Sequence, residues 1–297
     1  MEIVSTLSDF RKWRGLKPQR GGVSFVPTMG ALHEGHRGLL RRATHFGKPI
    51  VVSIYVNPLQ FGPSEDYARY PRKPSSDLEL CRKNEVACVF MPEPSDSFVQ
   101  PPQISFLPGA LAMGLCGKSR PGHFSGVLAI CLKFFQVVLP RYAFFGEKDF
   151  QQLRLIETLV DDFHLPIEII RVPTVRNKDG LAMSSRNHYL SAQERGKAVA
   201  LWKGLALAQK ACAHHSHLTV GQLLAQVKTC LSQIKLDYLA IVSENDLKPC
   251  RAQTPVSALL RPRIFIAGWV GKTRLIDNAQ LAQGKRGRPQ FEQEVCL

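Results

Sequence analysis

An apolar run, Val23-Ser24-Phe25-Val26, passes directly into Pro27-Thr28-Met29-Gly30-Ala31-Leu32-His33-Glu34-Gly35-His36, and an amphipathic segment follows. That order predicts a strand, a tight loop and the first turn of a helix. In an open α/β sheet such a loop is where phosphate binds. The first N–H groups of the helix lack intrahelical partners, and the positive end of its dipole points the same way. His33 and His36, with Gly35 between them, stand at the opening of this helix. They can donate hydrogen bonds to a triphosphate without the permanent charge of two lysines. The segment points to a nucleotide-using enzyme; the plainer alternative is a capped helix that carries two histidines.

The rest of the first half repeats the alternation. Strands are predicted at Ile50–Val56, Val86–Met91, Tyr142–Phe145 and Ile167–Val172. Helices are predicted at Gly35–Phe46, Ser75–Asn84, Gly122–Val138 and Phe150–Phe163. Strands alternating with helices predict a parallel sheet, with ligands outside the carboxyl ends of the strands. The loops after Val26, Val56, Phe145 and Val172 are therefore the informative ones. From Thr174 to Ser185 the chain turns polar, with an Asp179-Gly180 turn signal. Two helical patterns follow, Ser191–Ala213 and Thr219–Ile234, then strand-like runs at Tyr238–Val242, Arg263–Ala267 and Thr273–Ile276. We expect residues 1–174 to form the parallel-sheet domain and 175–279 a smaller α+β domain, with 280–297 a loose tail.

The 297 residues suffice for two domains, and 44% apolar with 21% charged content places the chain among globular proteins. No apolar run approaches the roughly 20 residues of a membrane span. The first residues, Met1-Glu2-Ile3-Val4-Ser5, do not read as a secretory signal, so a cytoplasmic protein is expected. The eight cysteines form no CxxC pair and read as reduced thiols. Cys212, His214, His215 and His217 are a local cluster that could hold a metal, although no second cluster matches it. The net charge of +15 raises nucleic acid as a partner. The basic residues are spread along the chain, however, and the patches Arg11–Arg20 and Lys285–Arg288 are short. Attraction of anionic substrates and general surface charge is the preferred reading.

Several blocks carry a family resemblance. Met29–His36 resembles the HIGH-type signature of nucleotidylyl-transferring α/β enzymes. Val56-Asn57-Pro58-Leu59-Gln60-Phe61 resembles the substrate loop of the pantothenate synthetase (pantoate–β-alanine ligase) family. So do Arg120-Pro121-Gly122-His123-Phe124, Phe145-Gly146-Glu147-Lys148-Asp149-Phe150-Gln151-Gln152, Asp179–Asn187 and Gly271–Asn278, in the family's order. The resemblance implies a Rossmann-like parallel-sheet domain with a smaller α+β lid. It implies ATP-dependent condensation of pantoate with β-alanine through pantoyl adenylate, with Mg²⁺ on the triphosphate and a homodimeric assembly.

It also implies roles for particular residues. His33 and His36 contact the ATP phosphates, with Gly30 and Gly35 allowing close approach. Met29 forms the wall between ATP and pantoate. Lys148 offers a point charge to phosphate oxygens beside Gly146, or is a surface lysine. Asp149 binds the ribose diol, caps the following helix, or does both. Ser184, Ser185 and Arg186 form a second phosphate loop, flanked by Val175 and Met183. Gln60 and Gln152 hold the hydroxyl and carboxylate oxygens of pantoate, since an amide both donates and accepts. Asn57 shapes that pocket, and Arg120 and His123 support the phosphate or amine side.

Two positions depart from the family pattern: Cys116 stands where Glu is usual, and Trp269 where Arg is common. They bear on local ion pairs and the dimer surface. Two other functions remain open on the residues alone. A nucleotidyltransferase acting on a phosphorylated substrate shares the histidine pair but does not explain Gln60 with Gln152. An RNA-binding protein explains the charge and predicts steeply salt-dependent affinity.

Overall fold

In the computed structural model, residues 1–16, 22–63, 65–215 and 217–281 are described. The expected tail beyond 281, residues 17–20 of the first basic patch and the patch at 285–288 lie outside them. The elements run β1 (Glu2–Val4), α1 (Leu7–Leu16), β2 (Ser24–Thr28), α2 (Glu34–Thr44), β3 (Ile50–Ile54), α3 (Pro74–Lys83), β4 (Cys88–Phe90), α4 (Leu115–Ser119), α5 (His123–Val138), β5 (Tyr142–Gly146), α6 (Phe150–Asp162) and β6 (Glu168–Val172). Then come α7 (Ala192–Ala198), α8 (Ala200–His214), α9 (Val220–Cys230), β7 (Lys235–Ser243), β8 (Pro262–Val270) and β9 (Thr273–Gln280). No described helix is long and apolar enough to cross a membrane.

The chain forms two compact units. The first comprises Met1–Ala112, Cys116–Glu147 and Gln152–Val172; the second comprises Met113–Leu115, Lys148–Gln151 and the chain from Pro173 onward. Two short segments that precede Pro173 in the sequence thus group with the second unit.

The first unit carries a six-stranded parallel sheet in the order β1-β4-β3-β2-β5-β6. Alternate residues of a strand point to opposite faces. Phe25 therefore faces one side, where Phe134 and Phe135 of α5 meet it at ring separations of 5.6 and 6.5 Å. Phe10 of α1 stacks on Phe90 nearby. Val26 faces the other side, in a cluster with Leu39, Leu40 and Ala43 of α2 and Cys81 of α3. Helices thus cover both faces. The strand order reverses at β2, whose neighbours are β3 and β5, so the loops after Thr28 and after Gly146 open at the switch point where such sheets bind ligands.

The second unit is built on the antiparallel sheet β7-β8-β9. Ile264, Ile266, Leu275 and Ala279 pack with Leu201, Leu205, Leu223 and Val227 of the helices. Two differences from the sequence-based elements are informative. The helix expected over Ser191–Ala213 is interrupted at Val199, where φ −60° and ψ −21° stay helical, so the break lies in hydrogen bonding rather than in backbone direction. The last strand continues past Ile276 to Gln280, because the polar Asp277 and Asn278 are buried with partners instead of ending the strand. The elements β1 and α1 have no counterpart in the sequence-based reading.

Candidate active site

The loop after β2 turns through two left-handed residues, Gly30 (φ 81°) and Ala31 (φ 50°). A Cβ on Gly30 would lie 3.0 Å from both Asp77 Oδ2 and Ile54 Cγ2, so glycine suits both the dihedral and the space. The N–H groups of Ala31 and Leu32 donate to Asp77 Oδ2 and Oδ1 at 2.9 and 2.7 Å. Thr28 Oγ1 accepts from Gly30 N–H and donates to the Ser53 carbonyl, tying the loop to β3. Burial pushes the Asp77 carboxyl above its ordinary value; the bonds from Leu32 and Ala31 pull the other way without offsetting it.

His33 is the N-cap of α2. Its Nδ1 accepts from Gly35 N–H at 3.1 Å, while His36 Nδ1 accepts from His33 N–H at 3.2 Å, a reciprocal capping box made by two imidazoles. The rings lie 4.2 Å apart. An accepting Nδ1 carries no proton, so in each ring the proton sits on Nε2. The cap therefore fixes the tautomer that presents an N–H donor from Nε2. The capped-helix reading and the phosphate reading of this motif are compatible, because capping uses Nδ1 only.

A second group gathers at Asn57–Gln60. Asn57 caps a single 3-10 turn over Pro58–Gln60; its Oδ1 accepts from Leu59 N–H, and its Nδ2 donates to Gln60 Oε1 at 3.2 Å and to the Gly126 carbonyl at 3.0 Å. Gln60 Nε2 in turn reaches Met29 Sδ at 3.1 Å. Asn57 thus acts through Gln60, whose amide it aims at Met29. The Gln60 carbonyl accepts from His123 Nδ1 at 2.8 Å and from Arg120 Nη2 at 3.3 Å. Arg120 also grips Glu65 with two bonds of 2.7 and 2.6 Å. Arg120 and His123 therefore hold the Gln60 loop. Gly126 is required here, since a Cβ would lie 2.2 Å from the Leu59 carbonyl oxygen. Gln152, half-buried on α6, makes no side-chain hydrogen bond with the described residues.

In the second unit, Lys148 and Asp149 form a 3-10 turn following Gly146, with Lys148 Nζ 3.5 Å from Asp149 Oδ1. Asn278 Nδ2 donates to the Lys148 carbonyl at 2.8 Å. The segment before Ser184 is a small hairpin in which Met183 N–H donates to the Val175 carbonyl at 3.0 Å. Asp277, 2% exposed, takes Arg176 Nη1 and Nη2 at 2.6 and 3.0 Å, and Arg176 also bonds the Gly180 carbonyl and stacks on Trp202. Ser184 Oγ accepts from Arg186 N–H, capping the turn over Ser185–Tyr189. The hairpin is thus held at its base, and the capped turn that begins at Ser184 follows it directly.

Among the described residues no three His, Cys, Asp or Glu side chains gather to hold a metal, and Cys212, His214, His215 and His217 are not such a group. Cys116 is buried in α4, and Arg120, four residues on, pairs with Glu65. Trp269 is partly exposed on β8 opposite Lys235 and Arg274.

A family model described as pantoate-beta-alanine ligase matches residues 2–280. The chain belongs to the pantoate–β-alanine ligase family. A pantothenate synthetase of Thermotoga neapolitana is 42% identical over 287 residues, 95% of this chain and 100% of that protein. A crystal structure of pantothenate synthetase from Thermus thermophilus is similar with a TM-score of 0.87 at 39% identity, covering 94% of this chain and 99% of that one. A pantoate-beta-alanine ligase from Francisella tularensis, complexed with beta-gamma ATP and beta-alanine, is similar with a TM-score of 0.78 at 33% identity, covering 94% and 97%.

Against this ligase family's motifs, Asp77 and Glu65 are the residues that sequence reasoning passed over. Asp77 sits in the first turn of a predicted helix, where an acidic residue is ordinary. Nothing local marks it as the anchor of a loop 45 residues earlier. Glu65 carries a pH signature. Burial pushes its carboxyl up, but hydrogen bonds and charge from Arg120 hold it below the ordinary value of 4.5. A depressed folded-state pKa adds stability above the unfolded value, and that stability is lost as pH falls through the folded one. Urea unfolding of wild type and Glu65→Gln should differ at neutral pH, and the difference should shrink as pH drops below 4.5. A difference that persisted undiminished into acid would contradict the Arg120 clamp.

Proposed function

We propose that this chain joins pantoate to β-alanine using ATP. A pantoate carboxylate oxygen attacks the α-phosphorus, and the bond to pyrophosphate breaks, leaving pantoyl adenylate. The deprotonated amine of β-alanine then attacks the acyl carbon, and the acyl–oxygen bond to AMP breaks. The observation that carries this reading is the imidazole pair of α2: a capping box that fixes two Nε2–H donors at the switch point of a parallel sheet, in a chain of this ligase family. Charge builds on the α-phosphate and on leaving pyrophosphate, and fixed donors meet it without reorganisation.

The remaining roles follow the chemistry of each group. His33 and His36 bond phosphate oxygens, with Gly30 and Gly35 lacking side chains that would keep the nucleotide away. Lys148 adds a cation, Asp149 accepts from the ribose diol, and Gly146 leaves room beside them. Ser184, Ser185 and Arg186 supply a second set of phosphate donors, with Val175 and Met183 at the hairpin's edge along the nucleotide. Gln60 and Gln152 take the pantoate oxygens, Asn57 orients Gln60, and Met29 separates pantoate from ATP. A Mg²⁺ ion carried by the triphosphate would offset its charge. The carboxylate bonded to the histidine loop, Asp77, is occupied by two N–H groups, so phosphate oxygens and water are the fitting ligands for that ion. Residues 1–174 are assigned ATP and pantoate binding, and 175–279 the role of a lid that keeps the adenylate from water. A cytoplasmic homodimer completes the proposal.

Isotope exchange between pyrophosphate and ATP, with Mg²⁺ and without β-alanine, tests the first half-reaction. Exchange that requires pantoate is expected; folded, ATP-binding protein that exchanges nothing would refute adenylation. In the same assay Gln60→Ala should raise the pantoate KM and leave the ATP KM near wild type. An unchanged pantoate KM would remove Gln60 from the acid site.

A further inference from the structure

The Lys148 turn is held by side chains that have no phosphate role in the proposal above. On β8, Arg263 and Phe265 are two residues apart and share a face, and Phe265 pairs with Asn278 across the antiparallel ladder, placing all three on one side. Glu244, 2% exposed, accepts from Arg263 Nε at 2.7 Å. Arg263 Nη1 donates to Asn278 Oδ1 at 2.6 Å, and Asn278 Nδ2 donates to the Lys148 carbonyl at 2.8 Å. The guanidinium lies 3.7 Å over the ring of Phe150, which itself packs edge-on to Phe265. Arg263 and Asn278 are each 4% exposed.

This relay has a direction. A guanidinium has donors only, so it takes the oxygen of the Asn278 amide and leaves the nitrogen for the Lys148 carbonyl. The flipped amide would set donor against donor on one side and oxygen against oxygen on the other. A buried ion pair is weak evidence for added stability, since desolvation offsets most of its attraction. Glu244–Arg263 fixes one amide instead, and that amide fixes the backbone from which the Lys148 side chain departs. We propose that Asn278, oriented by Glu244–Arg263, is a positioning residue for Lys148 in the adenylation step. This rests on the phosphate role given to Lys148 above.

The test compares wild type, Asn278→Asp, Asn278→Ala, Lys148→Ala and the double variant Lys148→Ala/Asn278→Asp. Asn278→Asp keeps the oxygen that faces Arg263, but it replaces the donor to Lys148 with a carboxylate oxygen and adds a charge; Asn278→Ala removes the donor without adding charge, so a loss shared by both variants belongs to the missing bond. A group misplaced by about 1 Å costs on the order of 100-fold, so pantoate-dependent pyrophosphate exchange should fall roughly 10- to 100-fold in Asn278→Asp, with pantoate KM unchanged. The double variant should be no slower than Lys148→Ala, because a residue that acts through another adds nothing once that other is gone. Amide hydrogen exchange in the peptide covering Lys148–Gln151 should quicken in Asn278→Asp. Wild-type turnover in Asn278→Asp, or a double variant slower by the full product of the two single losses, would overturn the inference alone. Absence of pantoate-dependent exchange in the wild type would overturn the functional reading and this inference with it.

Discussion

The carboxylate of Asp77 takes N–H bonds from Ala31 and Leu32 in a site that is 1% exposed. Without it, two backbone donors would be left without an acceptor, at about 1–3 kcal/mol each. They belong to a loop that already strains through a left-handed alanine. The carboxyl is itself destabilised by burial. What this arrangement secures is the entry angle of α2, and with it the place of His33 as N-cap. The imidazole pair and its tautomers follow from that anchor.

The same device recurs across the molecule: a side chain far away in sequence holds a carbonyl or N–H of a functional loop. His123 and Arg120 hold the Gln60 carbonyl, and Asn278 holds the Lys148 carbonyl. Asp277, the neighbour of Asn278, holds Arg176 and through it the hairpin before Ser184. The backbones that carry the side chains assigned to substrate are thus fixed by other residues. Asn57 shows the principle within one turn, directing its whole amide to Leu59, Gln60 and Gly126.

The parallel sheet was legible because its strands are apolar runs between helical patterns, and Val23–Val26, Ile50–Val56 and Tyr142–Phe145 needed only their boundaries adjusted. The antiparallel sheet was legible in its apolar stretches and not in Asp277-Asn278, whose burial depends on Arg176 and Arg263. The histidine motif stood out by residue type and order, whereas Gln60 and Lys148 drew attention mainly through the family resemblance of their blocks. Asp77 and Glu65 did not, since their meaning lies in partners 45 and 55 residues away. Arg120 and His123 were visible, but not their hold on the Gln60 loop. Their chemistry suits phosphate, and only coordinates show their bonds directed at a carbonyl and a carboxylate.

Each Nδ1 accepts a backbone N–H in the cap, which in a neutral ring leaves the proton on Nε2, and the proposed donation to phosphate depends on that tautomer. Long-range nitrogen–proton NMR of imidazole-labelled protein, with His33→Gln and His36→Gln variants for assignment, reads it directly. Both rings should show an Nε2–H tautomer with an unprotonated Nδ1 at neutral pH. A proton on Nδ1 of either ring would contradict the capping geometry, and the donor arrangement on which adenylation is argued would fall with it.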